Sequence, residues 1–529
     1  MPTLAGWLTG EQVPRETIEQ TLTTMGTVLG QRGGRQALAI QPGAGLIAFA
    51  DQAYAMRENS EPPVLDWVPD RRTMVYRRPL SGAHILYYVE DWPAKGNLLF
   101  ASEIKALFAV GVPRRLRLPA LDALLRYGFI PAPWTAFQDV SVVPAGSLLR
   151  WQRAKTVLNH ATDYHLEEPL APSNTLEQLD ARLTETSKRL LPPHDQLMAL
   201  ASGDPASTLT IALAAEQTEA HFTVATLGYK KDEQEWQAAE RVASAHDLPF
   251  LAITGVDQPE FWAAVITALE APCTHSFPLG WHQLLHTASA QTGARVALSG
   301  LGAHTLLSTT PAQSPSTTRM EAQDVLRWYS QSIAPEVDNT TTRLWSPAAA
   351  RAIQQGTRWE ESLHARKLAR RAAQFSDQRL RWRYLDLHLR LPDLVVSTAQ
   401  QLATVEQVAL RSPYLTPEVM DILTRLPAIL QDGTPRATIL SQLARLHTSG
   451  MEEEHSLLSL EAPTASLCQV EGSEILQQAL SPEALRATGI FDPQAAQALV
   501  TAGTPHAASH EQLLVFTTQL LCLLFGASL

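Results

Sequence analysis

The sequence predicts a mixed α and β protein with a strand-rich first part, a parallel sheet flanked by helices, and a helical end. Up to residue 165, short apolar runs recur about every ten residues between Gly, Pro and Asp, which is typical of antiparallel strands. From Thr175, apolar runs alternate with amphipathic helix patterns, which indicates a parallel sheet. From about residue 321, helical periodicity dominates.

Residues 1–165 form the first predicted domain. Its strands are predicted at LAIQ, LIAFA, HILYYVED, NLLFAS, VSVV and SLLRW, and one helix is predicted at LPALDALLRYGFI. A looser Pro- and Ser-containing stretch follows, and residues 166–178 are predicted to be a linker.

Residues 179–529 form the second predicted domain. After the helix LEQLDARLTETSKRLL, the strands QLMALAS, HFTVATLGY, PFLAITG and RVALSG alternate with the helices STLTIALAAEQT, EWQAAERVASAHD and PEFWAAVITALEA. Ligands of parallel sheets bind at the carboxyl ends of the strands, so the loops after QLMALAS and RVALSG are the candidate site. LLSTTPAQSPSTTRM is predicted to be an exposed loop, and LLVFTTQLLCLLF a buried terminal helix too short to span a bilayer.

Composition narrows the function classes. The 529 residues carry 42 basic and 53 acidic side chains, a net charge of −11, which argues against a nucleic-acid partner. Three cysteines in so long a chain indicate a reducing compartment, and we see no signal peptide or transmembrane segment, so we expect a cytoplasmic protein. Only 18% of residues are charged, which favours a surface that binds a protein partner or a second copy.

Several segments resemble the glutamine-hydrolysing asparagine synthetases, in the order expected for that family. They are LLFASEIKALF (98–108), YGFIPAPWTAFQDVSVVPAGSLLRW (127–151), ALSGLGA (297–303), YLDLHLRLPD (384–393) and LRSPYL (410–415). The resemblance implies an N-terminal nucleophile (Ntn) amidohydrolase-like antiparallel β domain that releases ammonia from glutamine. It also implies an adenine-nucleotide pyrophosphatase-type synthetase domain that activates a carboxylate with ATP. Fold carries over readily, whereas function has to be argued from the sites.

The glutaminase motifs of that family are replaced here. The family begins MCGIAG and this chain MPTLAG, so Pro2 stands where the family has its nucleophilic cysteine, and no cysteine occurs before Cys273. A proline amine does not substitute for the thiolate that attacks an amide. We therefore expect no glutamine hydrolysis and name no catalytic residue.

The phosphate-binding loop of the family, SGGLDSS, aligns with residues 202–208, SGDPAST. Asp204 adds a negative charge where phosphates lie, Pro205 removes an amide donor, and Ala206 replaces the metal-binding aspartate. The segment is expected to be a strand-to-helix turn with an N-cap; the alternative is that Asp204 coordinates a metal from its new position. The resemblance implies that a vestigial ATP site would comprise Ala201, Ser202, Gly203, Ser207, Thr208, Leu227, Ser299 and Gly300.

The second family loop, SGEGxDE, aligns with residues 299–305, SGLGAHT, which contain none of its acids. The family lysine aligns with Ala437, and the chain has no lysine after Lys367, although Arg436 lies next to that position. Loss of the acids removes the means of holding Mg²⁺ against phosphates. No metal site and no cofactor are expected, and ATP with magnesium would bind only if the site were rebuilt.

Two weaker patterns have plain structural explanations. One interpretation of His275, His282, His286 and His304 is a metal site near the candidate loops. The favoured interpretation is that they are polar-surface or core histidines. The Arg-rich segment 365–384 is expected to be a solvated helix face rather than a site for an acidic partner.

These observations lead to one hypothesis and two alternatives. The hypothesis is an asparagine-synthetase-like pseudoenzyme that acts as a structural subunit or partner-binding protein. The first alternative is an ATP-dependent amide-forming ligase, using ammonia or an amine, in which Asp204 and Arg436 replace the lost ligands. The second is a nucleotide sensor that binds without turnover.

Overall fold

The computed structural model describes residues 3–30, 35–50, 64–68, 71–170, 174–192, 197–218, 221–229, 234–307, 320–333, 343–426, 436–448, 460–464, 467, 473–501 and 509–529. The first ten strands are β1 Thr3–Leu8, β2 Arg35–Gln41, β3 Ala44–Ala50, β4 Val64–Val68, β5 Thr73–Arg77, β6 Tyr87–Glu90, β7 Leu98–Ala101, β8 Ser141–Val142, β9 Ser147–Gln152 and β10 Lys155–His160.

The first ten strands form two antiparallel sheets. The larger sheet has the order β2-β3-β1-β7-β6-β8, and the smaller has the order β10-β9-β5-β4. A core that includes Met74, Tyr76, Phe100 and Trp151 lies between them. The strand-rich, antiparallel prediction for this part of the chain is therefore confirmed.

One long helix of the first part was not predicted from the sequence. Helix α1, Arg15–Leu29, buries Ile18, Leu22 and Met25 against the large sheet. Its sequence contains five threonines and a glycine, residues with low intrinsic helix propensity. The helix exists because its apolar residues recur every three or four positions and gain a sheet to pack on.

The parallel sheet follows the linker. Its strands are β11 Leu197–Leu200, β12 Thr223–Gly228, β13 Phe250–Thr254, β14 Val296–Leu298 and β15 Ala409–Arg411. They are ordered β13-β12-β11-β14-β15, and every pair is parallel. The four predicted strands are confirmed. The fifth, β15, was missed because three residues are too few to show a pattern inside a helical region.

Helices occupy most of the remaining described chain. They are α2 Ile104–Ala109, α3 Leu118–Tyr127, α4 Thr175–Leu190, α5 Pro205–Gln217, α6 Gln234–Ala245, α7 Phe261–Leu269, α8 Phe277–Thr292, α9 Ala303–Leu306, α10 Ala322–Ile333, α11 Pro347–Gln355, α12 Leu363–Gln374, α13 Gln378–Leu385, α14 Ser397–Val405, α15 Pro417–Thr424, α16 Arg436–His447, α17 Glu474–Leu480, α18 Pro482–Thr488, α19 Pro493–Thr501 and α20 His510–Phe525. A π-helical segment, Asp386–Val396, joins α13 to α14, and short 3₁₀ turns lie at Trp359–Glu361 and Pro413–Leu415.

Two predicted boundaries can be compared with these elements. Helix α4 begins at Thr175, within the predicted linker. The loop predicted from Leu306 to Met320 lies almost entirely outside the described residues.

The two halves of the chain share extensive contacts. Glu270 at the end of α7 accepts hydrogen bonds from the amides of Ile104 and Lys105, at 2.6 and 2.7 Å. The buried helix α20, which was predicted, brings the end of the chain back to the first half. There the Leu116 amide donates to the Ser528 carbonyl at 2.8 Å.

Among the residues that the structure describes, no helix is long and apolar enough to cross a membrane.

Candidate nucleotide site

The first candidate loop joins β11 to α5 at the carboxyl edge of the parallel sheet. Gly203 has a φ of +74°, which is unfavourable for a side chain and allows the chain to turn directly into the helix. Pro205 is the first helical residue, where a missing amide hydrogen costs nothing. The predicted strand-to-helix turn is confirmed, and Asp204 is its N-cap.

Asp204 turns its carboxylate back over the start of α5. Its Oδ1 accepts hydrogen bonds from the amides of Ala206 and Ser207, at 2.6 and 3.0 Å. Its Oδ2 accepts one from the Ser202 hydroxyl. These amides are the free donors at the positive end of the helix dipole, which attract anions. The anion that occupies this helix end is therefore a side chain of the protein itself.

The second candidate loop lies directly against the first. A Cβ on Gly300 would come within 2.9 Å of the Ser207 amide nitrogen, so the two loops touch through backbone. Gly302, with a φ of +89°, starts the short helix α9. Because the two loops are in contact, the Ser207 amide is covered as well as capped.

The remaining residues predicted for an ATP site stabilise the sheet edge. The Ala201 carbonyl accepts from the Thr226 hydroxyl at 2.8 Å, and the Ser299 amide donates to the Arg411 carbonyl at 2.9 Å. Thr208 and Leu227 are buried. The structure thus brings the predicted residues together, as a packed junction of two loops.

Three further positions in or next to the segments aligned with the family have different outcomes. The Arg411 guanidinium lies 2.5 Å from the carbonyl of Leu190, the last residue of α4. Helix α16 begins at Arg436, but the side chain of Arg436 is outside the described residues, and so is Pro2.

A cavity of about 100 Å³ lies between the two halves of the chain. Its polar lining includes Arg78, Asp393 and Glu270. Burial raises the pKa of Asp393 to about 6, although the Arg78 guanidinium 3.7 Å away and the Ala132 amide both lower it. A second, smaller cavity shares Glu270 and reaches Thr3 in the first strand.

The described cysteines do not resemble activated nucleophiles. Cys273 lines the larger cavity, and burial raises the pKa of its thiol well above the ordinary range. Burial also raises the pKa of Cys522, to about 12. A thiol with a raised pKa is protonated at neutral pH and is a poor nucleophile.

The four histidines singled out from the sequence do not form one site. His282 and His286 share the carboxylate of Glu406, with nitrogen–oxygen distances of 3.3 and 3.0 Å. His275 instead packs against His510, with ring centroids 5.0 Å apart. The interpretation as surface or core histidines is supported for these three, although Glu406 is an acidic partner that the sequence did not reveal.

The Arg-rich segment is not a uniformly solvated face, so that prediction was wrong in part. Arg381 is 1% exposed and donates to the Phe375 carbonyl, and Arg383 is 4% exposed and donates to the carbonyls of Leu306 and Leu423. The accepting carbonyls lie at the C-terminal ends of α9, α12 and α15, where carbonyls that lack a helical partner need donors.

Comparison with known families agrees with this two-part arrangement. Two antiparallel sheets are followed by a five-stranded parallel sheet, whose first loop leads directly into helix α5. The asparagine synthase family profile matches residues 179–523, and that of the glutamine amidotransferase domain matches residues 65–164. The chain belongs to the asparagine synthase family.

Other comparisons add little to this assignment. No curated protein matches the sequence. NMN synthetase from Francisella tularensis is 14% identical over 41% of this chain and 93% of its own, with a TM-score of 0.21. Likeness at that level carries no inference about activity.

Sequence reasoning missed two groups of polar residues. Glu270 was not noticed because a single glutamate at a helix end has no pattern. His160, Asp163 and His388 lie within ligand distance of one another, but they come from a strand end, a connecting segment and the π-helical segment. The short spacing of His160 and Asp163 was the one signal in the sequence.

Proposed function

We propose that this protein is a non-catalytic member of the asparagine synthase family, which acts as a structural subunit or partner-binding protein. One observation carries the proposal: the Asp204 carboxylate caps the helix end at which the family holds phosphate. A phosphate brought to the same amides would meet a fixed negative charge and would have to displace two hydrogen bonds.

The proposal extends to the domains and their ancestry. Residues 1–165 are an Ntn hydrolase-like domain, residues 166–178 a linker, and residues 179–529 a synthetase-like domain. The two packed antiparallel sheets and the glutamine amidotransferase match over residues 65–164 support this division. The absence of a cysteine between residues 1 and 272 supports the loss of glutaminase chemistry.

The second loop supports the same conclusion. Residues 299–305 carry no acid to hold Mg²⁺, and Ala206 stands at the aligned aspartate of the first loop. Asp204 has one oxygen bound to two amides and the other to a hydroxyl, which leaves a poor ligand for a metal. Loss of ligands at both loops argues against the ligase alternative.

The decisive experiment is calorimetric titration of the full chain with ATP, with and without Mg²⁺, joined to a pyrophosphate-release assay over a panel of carboxylic acids and amines. A family member that retains the SGGLDSS loop is the positive control. We expect no binding and no pyrophosphate. ATP-dependent pyrophosphate release would establish a ligase, and binding without turnover a sensor; either would overturn the proposal.

A structural role also predicts a stable assembly. Sedimentation of the purified chain tests the self-association arm of the proposal. A homo-oligomer that persists at micromolar concentration would support a subunit role. A monomer would rule out self-association and leave only the binding of a different protein.

A further inference from the structure

We propose that His160, Asp163 and His388 form a binding site for a divalent transition-metal ion, with zinc as the best match to these ligand types. Their ligating atoms all lie within 4.8 Å of one another. Two imidazoles and a carboxylate are a common set for zinc and related metals. The site is separate from both candidate loops of the parallel sheet and does not depend on the proposed function.

His388 is oriented as a metal ligand would be. Its Nδ1 is 2.8 Å from the Tyr384 carbonyl, one turn earlier in the chain, so Nδ1 carries the hydrogen when the ring is neutral. The lone pair then lies on Nε2. A backbone carbonyl that fixes the tautomer in this way is the usual support of a metal-binding histidine.

The Nε2 atom of His388 is buried and faces the carboxylate. The side chain is 2% exposed, and Asp163 Oδ1 lies 2.9 Å from Nε2. Even so, within the described part of the chain Nε2 makes no hydrogen bond of acceptable geometry. His388 Nε2 and Asp163 Oδ1 thus face each other at close range without the alignment of a hydrogen bond, so both are available to a shared cation.

His160 supplies the second imidazole. Both of its ring nitrogens are buried and lack a hydrogen-bond partner among the described residues, and its ring centroid is 5.8 Å from that of His388. A buried nitrogen without a partner costs free energy, and a bound metal ion would provide that partner.

Asp163 completes the set of three. Its Oδ1 accepts from the Tyr164 amide at 2.8 Å, which fixes the carboxylate. A carboxylate held in this way offers an oxygen to a cation beside the two imidazoles.

One neighbouring residue sets a limit on the site, whose fourth position would be filled by water. Lys367 lowers the pKa of both His160 and His364, so it brings positive charge that opposes a cation.

The test uses the full chain stripped with EDTA and titrated with Zn²⁺ by calorimetry, with thermal unfolding followed in parallel. We expect one equivalent to bind with micromolar or tighter affinity and to raise the Tm. His160→Gln and Asp163→Asn should each weaken binding by about tenfold or more. Both residues are partly exposed, so these variants should fold; their Tm without metal checks this.

Two control variants sharpen the result. His286→Gln removes a histidine of the separate Glu406 pair and should leave the affinity unchanged. Lys367→Gln should tighten Zn²⁺ binding by a few-fold, because it removes the opposing charge. The proposal is overturned if the wild-type chain binds no Zn²⁺, or if folded His160→Gln and Asp163→Asn bind it as the wild type does.

Discussion

The Glu270 carboxylate accepts a hydrogen bond from the backbone amide of Lys105 at 2.7 Å, so a side chain of the second half caps a helix of the first. Its other oxygen accepts from the Ile104 amide at 2.6 Å. Glu270 has a φ of +53°, a conformation that a glutamate adopts at a cost. The two hydrogen bonds, together with the helix dipole at this end of α2, offset that cost.

The burial of Glu270 predicts a pH-dependent stability. Burial raises its pKa from 4.5 to about 7, with Glu103 adding to the shift and Lys105 opposing it. Between these values the folded chain binds more protons than the unfolded chain. The free energy of unfolding should therefore fall as the pH rises from about 4.5 to about 7, by at most about 3 kcal/mol.

Urea unfolding at pH 5 and pH 8 measures this effect, because these two pH values enclose most of the interval between the unfolded and folded pKa values of Glu270. Glu270→Gln should flatten the dependence. Glu418→Gln is the matched control. Partial burial would raise the pKa of Glu418, but Arg189 holds it below its ordinary value. Any change of stability caused by Glu418 titration therefore lies below the pH range of this experiment. An unchanged slope in Glu270→Gln would refute the assignment.

Removing the Asp204 cap should destabilise the fold by about 1 kcal/mol, because the amides of Ala206 and Ser207 lose their acceptor. Asp204→Ala is the test and Asp204→Asn the control, since an asparagine at an N-cap accepts the same hydrogen bonds. Denaturant midpoints of the three proteins should rank Asp and Asn together above Ala. Equal midpoints for all three would show that the cap contributes no stability.

Gly82 controls how closely the first half approaches the π-helical segment. It has a φ of +87°, and a Cβ there would lie 2.4 Å from the Cα of Pro392. Gly82→Ala adds backbone strain and a clash with the Pro392 backbone, so we expect the free energy of unfolding to fall by about 3 kcal/mol.

Gly293 is the control for strain alone. It has a φ of +68°, and among the described residues no atom lies within 4 Å of its added Cβ. Gly293→Ala should therefore cost only about 1 kcal/mol. If chemical denaturation shows the same decrease in the free energy of unfolding for both variants, the backbone at Pro392 moves aside and the clash adds no cost.

The sequence predicted those features that depend on local pattern. The strands β11, β12, β13 and β14 have apolar runs bounded by turn residues, and a helix cap was predicted within residues 202–208. That Asp204 provides the cap was not predicted, because its side chain was interpreted only as a charge in a phosphate loop. Helix α1 could not be predicted in this way, because its Thr-rich sequence is helical only against the sheet. The His388 group and Glu270 likewise depend on contacts between distant parts of the chain.

The return of the chain end to the first half has a consequence for synthesis on the ribosome. Arg114 donates to the Phe525 carbonyl across a separation of 411 residues, and the Leu116 amide pairs with Ser528. At about 5–20 residues per second, roughly 20–80 s pass between the emergence of these partners. During that interval the face of α2 and α3 that later receives α20 is uncovered. The nascent first half therefore has an apolar surface on which a chaperone would act.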